Sequence, residues 1–252
     1  MNDSPARALT AEAIGTFALC FIGILAINTD AITGGSGTAS LTTIAFAHGL
    51  TIAVMIAALG AHSGAHFNPA VTAGFVATGR MTPARGAQYV GAQVAGAALA
   101  SLIIAFLFGR EIVASGTPAM AGNVHPLGGA AVEVVTTFFL VLVIFGTAVD
   151  DRAPKSVFPL AIGLTVALDI MATGPITGAA MNPARALGPA LVGGQWDAHW
   201  VYWLGPLVGG VAAAFLQHRL FLVHAPSAQT AVRGGPAPGE ERGSVAHDVP
   251  NG

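Results

Sequence analysis

Apolar residues occur in six long blocks, and short polar or glycine-rich segments separate one block from the next. The blocks cover roughly residues 8–28, 41–60, 84–108, 130–149, 157–174 and 198–222. A helix that crosses the hydrocarbon core of a bilayer needs about 20 largely apolar residues. Each block comes close to that length, so the pattern predicts an all-α membrane protein with six transmembrane helices.

Two short stretches outside these blocks repeat the triplet Asn-Pro-Ala, and the two asparagines are 114 residues apart. The triplets are Asn68-Pro69-Ala70 and Asn182-Pro183-Ala184. Asn caps the first free N–H groups of a helix, and Pro fits the first helical position. The weakly apolar residues that follow, 71–78 and 186–192, cover about half a membrane at about 1.5 Å per residue. The pattern therefore predicts two re-entrant half-helices.

The two triplets belong to a longer internal repeat. A shift of 114 residues also brings Gly49 onto Gly163 and Gly96 onto Gly210. With three spans in each half, at about 8–108 and 130–222, the second half must enter the membrane from the opposite face, which makes the repeat inverted. Irregular backbone at this depth must be buried in protein or line water, so we expect both loops to meet beside an aqueous path.

The distribution of basic residues predicts the orientation of the chain. Of ten Lys and Arg residues, eight would lie on one side of the membrane, and the positive-inside rule places this side and both termini in the cytoplasm. Residues 1–222 are predicted to form a single transmembrane channel domain. Residues 223–252, rich in Pro, Gly, Ser and charges, are predicted to be a disordered cytoplasmic tail.

Composition excludes several classes of protein. The chain is 54% hydrophobic and 9% charged, whereas soluble domains contain about 25% charged residues. The net charge of −2 and the lack of a basic stripe give no footprint for nucleic acid. The single cysteine, Cys20, excludes an intramolecular disulfide and a cysteine-based metal cluster. No catalytic triad spacing, metal-ligand cluster or phosphate loop is present, so we expect neither an enzyme nor a cofactor.

Two Asn-Pro-Ala boxes, the second followed directly by Arg185, make the chain similar to the aquaporin, or major intrinsic protein, family over about residues 8–222. The resemblance implies an aquaporin-like fold with six tilted helices and two half-helices around one pore. It also implies a homotetramer in a lipid bilayer that conducts water and small neutral solutes.

The resemblance further implies roles for the loops. Backbone carbonyls before each box would form a ladder of acceptors for water, at Gly64, Ala65, His66 and Phe67 and at Gly178, Ala179, Ala180 and Met181. Asn68 and Asn182 would donate N–H groups to a passing water, and the half-helix N-termini would add a barrier to protons and cations. Glu12 and Glu133 would accept hydrogen bonds from loop N–H groups. Snorkelling to the interface is the alternative for both acids.

Four positions resemble a selectivity filter, namely His48, Ile170, Ala179 and Arg185. The combination is similar to that of plant tonoplast intrinsic proteins, and His125 matches a fifth filter histidine of ammonia-conducting members. A charge inside the membrane is functional by default, so Arg185 is a strong candidate. We expect water to be the first solute and ammonia the second, with hydrogen peroxide or urea as further candidates.

Two other functions compete with a water channel. A small-polyol facilitator is disfavoured because Ala186 replaces the Asp that glycerol channels carry after this box. An ion-coupled transporter needs paired acids at a central cavity, and only Asp169 in the fifth span is a candidate; a structural role is favoured for it. His62 and His66 lie near the cytoplasmic mouth, where lining or packing is favoured over pH sensing. We expect a bacterial inner membrane or a plasma membrane.

Overall fold

The computed structural model describes residues 5–34 and 39–222. Within these residues the protein is all helical, which confirms the predicted fold class. The α-helices are α1 Pro5–Ile27, α2 Thr29–Thr33, α3 Leu41–Ser63, α4 Pro69–Ala77, α5 Pro83–Phe108, α6 Arg110–Ser115, α7 Pro126–Ile144, α8 Phe158–Thr177, α9 Pro183–Gly193 and α10 Val201–Leu216. The predicted tail, 223–252, lies outside the described residues.

Among the described residues, five helices are long and apolar enough to cross a membrane, namely α1, α3, α5, α7 and α8. The sixth, α10, has 16 α-helical residues and continues as a π-helix over Gln217–Leu222. A π-helix over Phe145–Val149 likewise extends α7. The predicted fourth block began too late, because a cap at His125 and a proline at the first helical position start α7 at Pro126.

The two half-helices, α4 and α9, begin at the prolines of the triplets and contain 9 and 11 residues. Each is therefore about 14–17 Å long at about 1.5 Å per residue, half of a membrane span. The predicted segments, 71–78 and 186–192, began two to three residues too late because proline is itself helical here. α4 packs against α10 and α5, and α9 packs against α5 and α6.

A close crossing of α3 and α8 joins the two halves. A Cβ atom added to Gly49 would lie 2.4 Å from the Gly163 carbonyl oxygen, and one added to Gly163 would lie 2.3 Å from that of Gly49. The two contacts are reciprocal, as a two-fold rotation requires, so these repeat-related glycines lie at the pseudo-two-fold axis. Only residues without a side chain allow the backbones to approach this closely.

The repeat shifts by one residue in the last span of each half. Gly96 packs against the carbonyl oxygen of Ala13, and Gly209, not Gly210, packs against that of Val134. Tyr89 and Tyr202 are related by the same shorter offset. Gly96 follows Asn68 by 28 positions, whereas Gly209 follows Asn182 by 27, so the predicted equivalence of Gly96 with Gly210 is wrong by one position.

Basic side chains gather at one end of the bundle. Arg152 forms an ion pair with Asp150 at 2.6 Å and donates to the Phe221 carbonyl in the π-helix that follows α10. This guanidinium lowers the pKa of the Asp150 carboxyl to about 2. Arg80 lies 5.8 Å from the centre of the Phe145 ring at the same end. Arg110, the first residue of α6, is not part of this group and donates to the Val192 carbonyl near the end of α9.

Candidate functional site

The asparagine of each triplet caps its half-helix. The Asn68 Oδ1 atom accepts from the Ala70 N–H at 2.8 Å. The Asn182 Oδ1 atom accepts from the N–H groups of Ala184 at 3.0 Å and Arg185 at 3.2 Å. Both asparagines have extended backbone and are buried, so the caps fix the amide groups rigidly.

The same two side chains join the loops to each other. Asn68 Nδ2 donates to the Met181 carbonyl and Asn182 Nδ2 donates to the Phe67 carbonyl, both at 2.8 Å. A side-chain amide has two N–H donors, so one N–H of each asparagine remains for another acceptor. The carbonyls of Phe67 and Met181, predicted as ladder acceptors, already accept these loop-joining bonds.

The loops adopt a strained backbone. The φ angles are 52° at Ala65, 49° at Phe67, 43° at Ala179 and 50° at Met181, and left-handed residues other than glycine cost roughly 1–3 kcal/mol each. Within the part of the chain that the structure describes, the other six predicted ladder carbonyls, at 64–66 and 178–180, accept no hydrogen bond. Strained backbone with free acceptors needs support from elsewhere.

A carboxylate near the start of α1 supports the loop of the first half. Glu12 is completely buried, and its Oε1 atom accepts from Ser63 Oγ at 2.7 Å and from the His66 N–H at 2.9 Å. Its Oε2 atom accepts from the Phe67 N–H and from Gln93 Nε2, both at 2.7 Å. Every lone pair that faces the loop is used, and the side chain does not snorkel.

Glu133 takes the corresponding position in the second half. Its Oε1 atom accepts from Thr177 Oγ1 at 2.8 Å and from the Ala180 N–H at 2.9 Å, and its Oε2 atom accepts from the Met181 N–H at 2.7 Å. The Tyr202 hydroxyl donates to the Thr177 carbonyl, as Tyr89 does to Ser63. The two tyrosines and Gln93 were not predicted to support the loops, although polar residues inside apolar blocks were an available signal.

The four predicted filter residues lie together. His48, Ile170, Ala179 and Arg185 are all buried and line one cavity. Arg185 Nη2 donates to the Gly116 carbonyl at 3.1 Å and lies 3.4 Å from His48 Nε2. His48 Nδ1 lies 2.8 Å from the Ile44 carbonyl, which can only accept, so we assign the proton to Nδ1 and the lone pair to Nε2.

Two cavities meet at this group. The longer one passes both asparagines and reaches Ala148 and Phe158 at the basic end of the bundle. The other opens beside residues 115–119, towards α6. His48, Ile170 and Arg185 line both cavities, so they form the neck between them. The Arg185 Nη1 atom is buried and has no partner among the described residues.

Other residues singled out from the sequence lie outside this neck. His125 caps α7 by accepting from the Leu127 N–H at 3.3 Å, is exposed, and lines neither cavity. The cap holds the ring at the protein surface, and the filter role of His125 stays a prediction. Asp169 also lines neither cavity. It is 9% exposed, and its Oδ2 atom lacks a partner in the described chain.

The two histidines near the predicted cytoplasmic mouth differ in their surroundings. His62 is exposed at the end of α3. His66 is buried, lies 3.1 Å from Thr72 Oγ1 and packs its ring 4.3 Å from that of Phe75. His66 also lines the longer cavity, so it combines packing with lining, as favoured from the sequence.

Comparison with known proteins gives consistent matches. Residues 2–217 match the family model described as "Major intrinsic protein". The chain is 47% identical to Aquaporin TIP4-4 of Zea mays, with 86% of this chain and 87% of the relative covered. It is 41% identical to Aquaporin NIP1-1 of Zea mays, with 86% and 76% covered. The X-ray structure of the aquaglyceroporin from Plasmodium falciparum superimposes with a TM-score of 0.73 at 24% identity, covering 86% of this chain and 97% of that one.

Proposed function

Because this chain belongs to the major intrinsic protein family, whose members are passive membrane channels, we propose that its two cavities form one path for water and small neutral solutes. One observation carries the proposal: both capping asparagines and the buried filter group line the same cavity. Water that enters a narrow apolar tube loses hydrogen bonds, which is costly when they stay unmade. The free loop carbonyls and asparagine N–H groups supply replacements.

Exclusion of protons follows from the same groups. The remaining N–H of Asn68 and of Asn182 would donate to the oxygen of a passing water and turn its hydrogens away, which interrupts a proton relay. Each half-helix N-terminus carries roughly half a positive charge, and the two are joined tip to tip. Cations and protons therefore meet a barrier at the point where water is held most firmly.

Ammonia is the second proposed solute. The neck combines the apolar side chains of Ile170 and Ala179 with the Nη1 donor of Arg185, which has no partner in the described part of the chain. A neutral ammonia molecule is of similar size to water and accepts a hydrogen bond through its lone pair. An ammonium ion would be repelled by the Arg185 guanidinium, so the ion must lose its proton before the neck. Water, ammonia and small neutral solutes then share one route.

Stopped-flow measurements on proteoliposomes test this function. We expect rapid osmotic water flow with a low activation energy and no response to ionophores, ammonia flux above that of empty vesicles, and little glycerol flux. His48→Phe should reduce the ratio of ammonia to water permeability, because a larger ring narrows the neck. Glycerol flux above water flux would instead support a polyol facilitator, and dependence of flux on an ion gradient would support a coupled transporter.

The proposal extends to assembly and location. We propose one channel domain over 1–222 in a homotetramer, as the family resemblance implies, with both termini in the cytoplasm and no enzymatic activity. Light scattering of the detergent-solubilised protein tests the tetramer. The protein is an integral multi-pass membrane protein, and the plant origin of its relatives argues against the bacterial inner membrane expected from the sequence. Localisation of a tagged chain in plant cells would distinguish plasma membrane from vacuole.

A further inference from the structure

The guanidinium of Arg185 depends on an acceptor that comes from outside its own half-helix. Arg185 lies in the first turn of α9, and its Nη2 atom donates to the carbonyl of Gly116. Gly116 is the residue that ends α6, a helix of only six residues. A helix this short has little stability of its own, so the acceptor is only as fixed as the contacts that hold α6.

Asn28 supplies those contacts from the end of α1. Its Oδ1 atom accepts from Ser115 Oγ at 2.5 Å, and its Nδ2 atom donates to the Ile112 carbonyl at 3.1 Å. The second Nδ2 hydrogen goes to the Ile24 carbonyl at 2.9 Å, within α1. Asn28 is 5% exposed. One buried amide therefore joins α6 to α1 through its acceptor and one donor, while its second donor holds the side chain on α1.

Packing on both sides of α6 continues this connection. A Cβ atom added to Gly116 would lie 2.7 Å from Ile24 Cγ2, so the end of α6 sits directly on α1. A Cβ atom added to Gly193, at the end of α9, would lie 2.8 Å from the Ala114 backbone. α6 is thus held between α1 and α9, and its last carbonyl points to Arg185.

We propose that Asn28 is a positioning residue for selectivity, which fixes the Gly116 carbonyl and through it the orientation of the Arg185 guanidinium. The proposal rests on the filter role of Arg185 under the proposed function. Loss of the Asn28 bonds would let α6 shift, and Arg185 would then leave its place at the neck. The neck would become wider for solutes larger than water, while the water path past the asparagines would remain.

The experiment measures glycerol and water permeability of proteoliposomes containing the full chain, and reports their ratio. Asn28→Asp keeps the shape and the acceptor but removes both donors, and we expect the glycerol-to-water ratio to rise roughly fivefold, the population change that one ordinary hydrogen bond controls. Ser115→Ala removes only the hydroxyl bond and should raise the ratio by a smaller factor. It also serves as the test if Asn28→Asp does not reach the membrane.

Thr29→Val is the matched control, since Thr29 is exposed and its hydroxyl donates to the Leu25 and Ala26 carbonyls of α1 and not to α6. Its ratio should equal that of the parent. Arg185→Val distinguishes the two levels of the proposal. If it raises the ratio while the Asn28 and Ser115 variants do not, the positioning role is wrong and the filter stands. If Arg185→Val also leaves the ratio unchanged, both the filter and the positioning role are overturned.

Discussion

At the residue scale, the amide groups of Asn68 and Asn182 serve two contacts at once. The oxygen of each caps its own half-helix, and one N–H holds the carbonyl that precedes the opposite asparagine. The capping role is what the sequence alone predicts for Asn before Pro. The loop-joining bond needs the opposite half, so no local pattern could have indicated it.

The variant Asn182→Asp tests the loop-joining bond separately from the helix cap. A carboxylate keeps the cap but has no N–H to donate to Phe67, and it places a negative charge between the two positive helix ends. We expect water permeability to persist and cation or proton leak to rise by at least several-fold. A pH-sensitive dye inside proteoliposomes measures the leak. An unchanged leak in this variant would contradict the proposed electrostatic barrier.

Glu12→Gln tests the support of the first loop. The amide that replaces one carboxylate oxygen cannot accept, so at least one of the buried donors loses its partner, at about 1–3 kcal/mol for each unsatisfied group. We expect a clearly lower temperature of thermal unfolding in detergent and reduced water flux. Glu111→Gln, at the exposed start of α6, is the matched control and should leave both values unchanged. Equal stability of the two variants would show that Glu12 is not the support.

At the element scale, the crossing of α3 and α8 limits how the halves fit together. Gly163 meets both the Gly49 carbonyl oxygen and the Ala53 side chain, which would lie 2.7 Å from an added Cβ. A Cβ atom added to Gly91 would have no described atom within 4 Å. Identical glycines in apolar helices therefore have different packing roles, which their sequence context does not reveal.

Gly163→Ala and Gly91→Ala form a matched pair of variants. Gly163→Ala adds a methyl group that pushes α3 and α8 apart at their crossing, and we expect a loss of about 1–3 kcal/mol in the free energy of unfolding. The second adds a methyl group in open space and should be neutral or stabilising by up to about 1 kcal/mol through helix propensity. Unfolding monitored by circular dichroism compares the two. Equal destabilisation would argue against the crossing as the tighter contact.

At the scale of the whole molecule, the inverted halves are related but not equal. Both have a buried glutamate that holds the strained loop, yet only the first has the additional donor Gln93, and only the second carries Arg185. The two bonds between the asparagines and the opposite carbonyls tie the halves together at the centre of the path. A change in the position of one loop must therefore alter the hydrogen bonds of the other loop.

This coupling is measurable with a double-mutant cycle. Asn68→Ala and Asn182→Ala each remove a cap and a loop-joining bond, and either change alone should loosen both loops. We expect the double variant to lose less stability than the sum of the single variants, with a coupling of about 0.5–3 kcal/mol, as residues of one hydrogen-bond network show. Thermal unfolding of the four proteins provides the cycle. Additive losses would mean that the two loops are held independently.

The class of protein, the approximate spans, the two half-helices and the paired asparagines could all be predicted from the sequence, because membrane thickness, helix caps and apolar composition act over short segments. Glu12, Glu133 and Arg185 also stood out in the sequence, because charged side chains inside a membrane are costly and usually functional. The boundaries at Pro126 and Pro183 were missed by a few residues, since proline and its preceding cap extend a helix beyond the apolar block.

Which groups meet became visible only in the folded chain. The bonds between the two loops, the glycine contacts that reveal the one-residue shift of the last spans, and the bonds from Asn28 to Ser115 and Ile112 all join residues far apart in the chain. Such contacts depend on how helices cross and on backbone angles that no neighbouring residue dictates. Interactions within short segments determine the helices, whereas the path for water forms only when the two halves pack together.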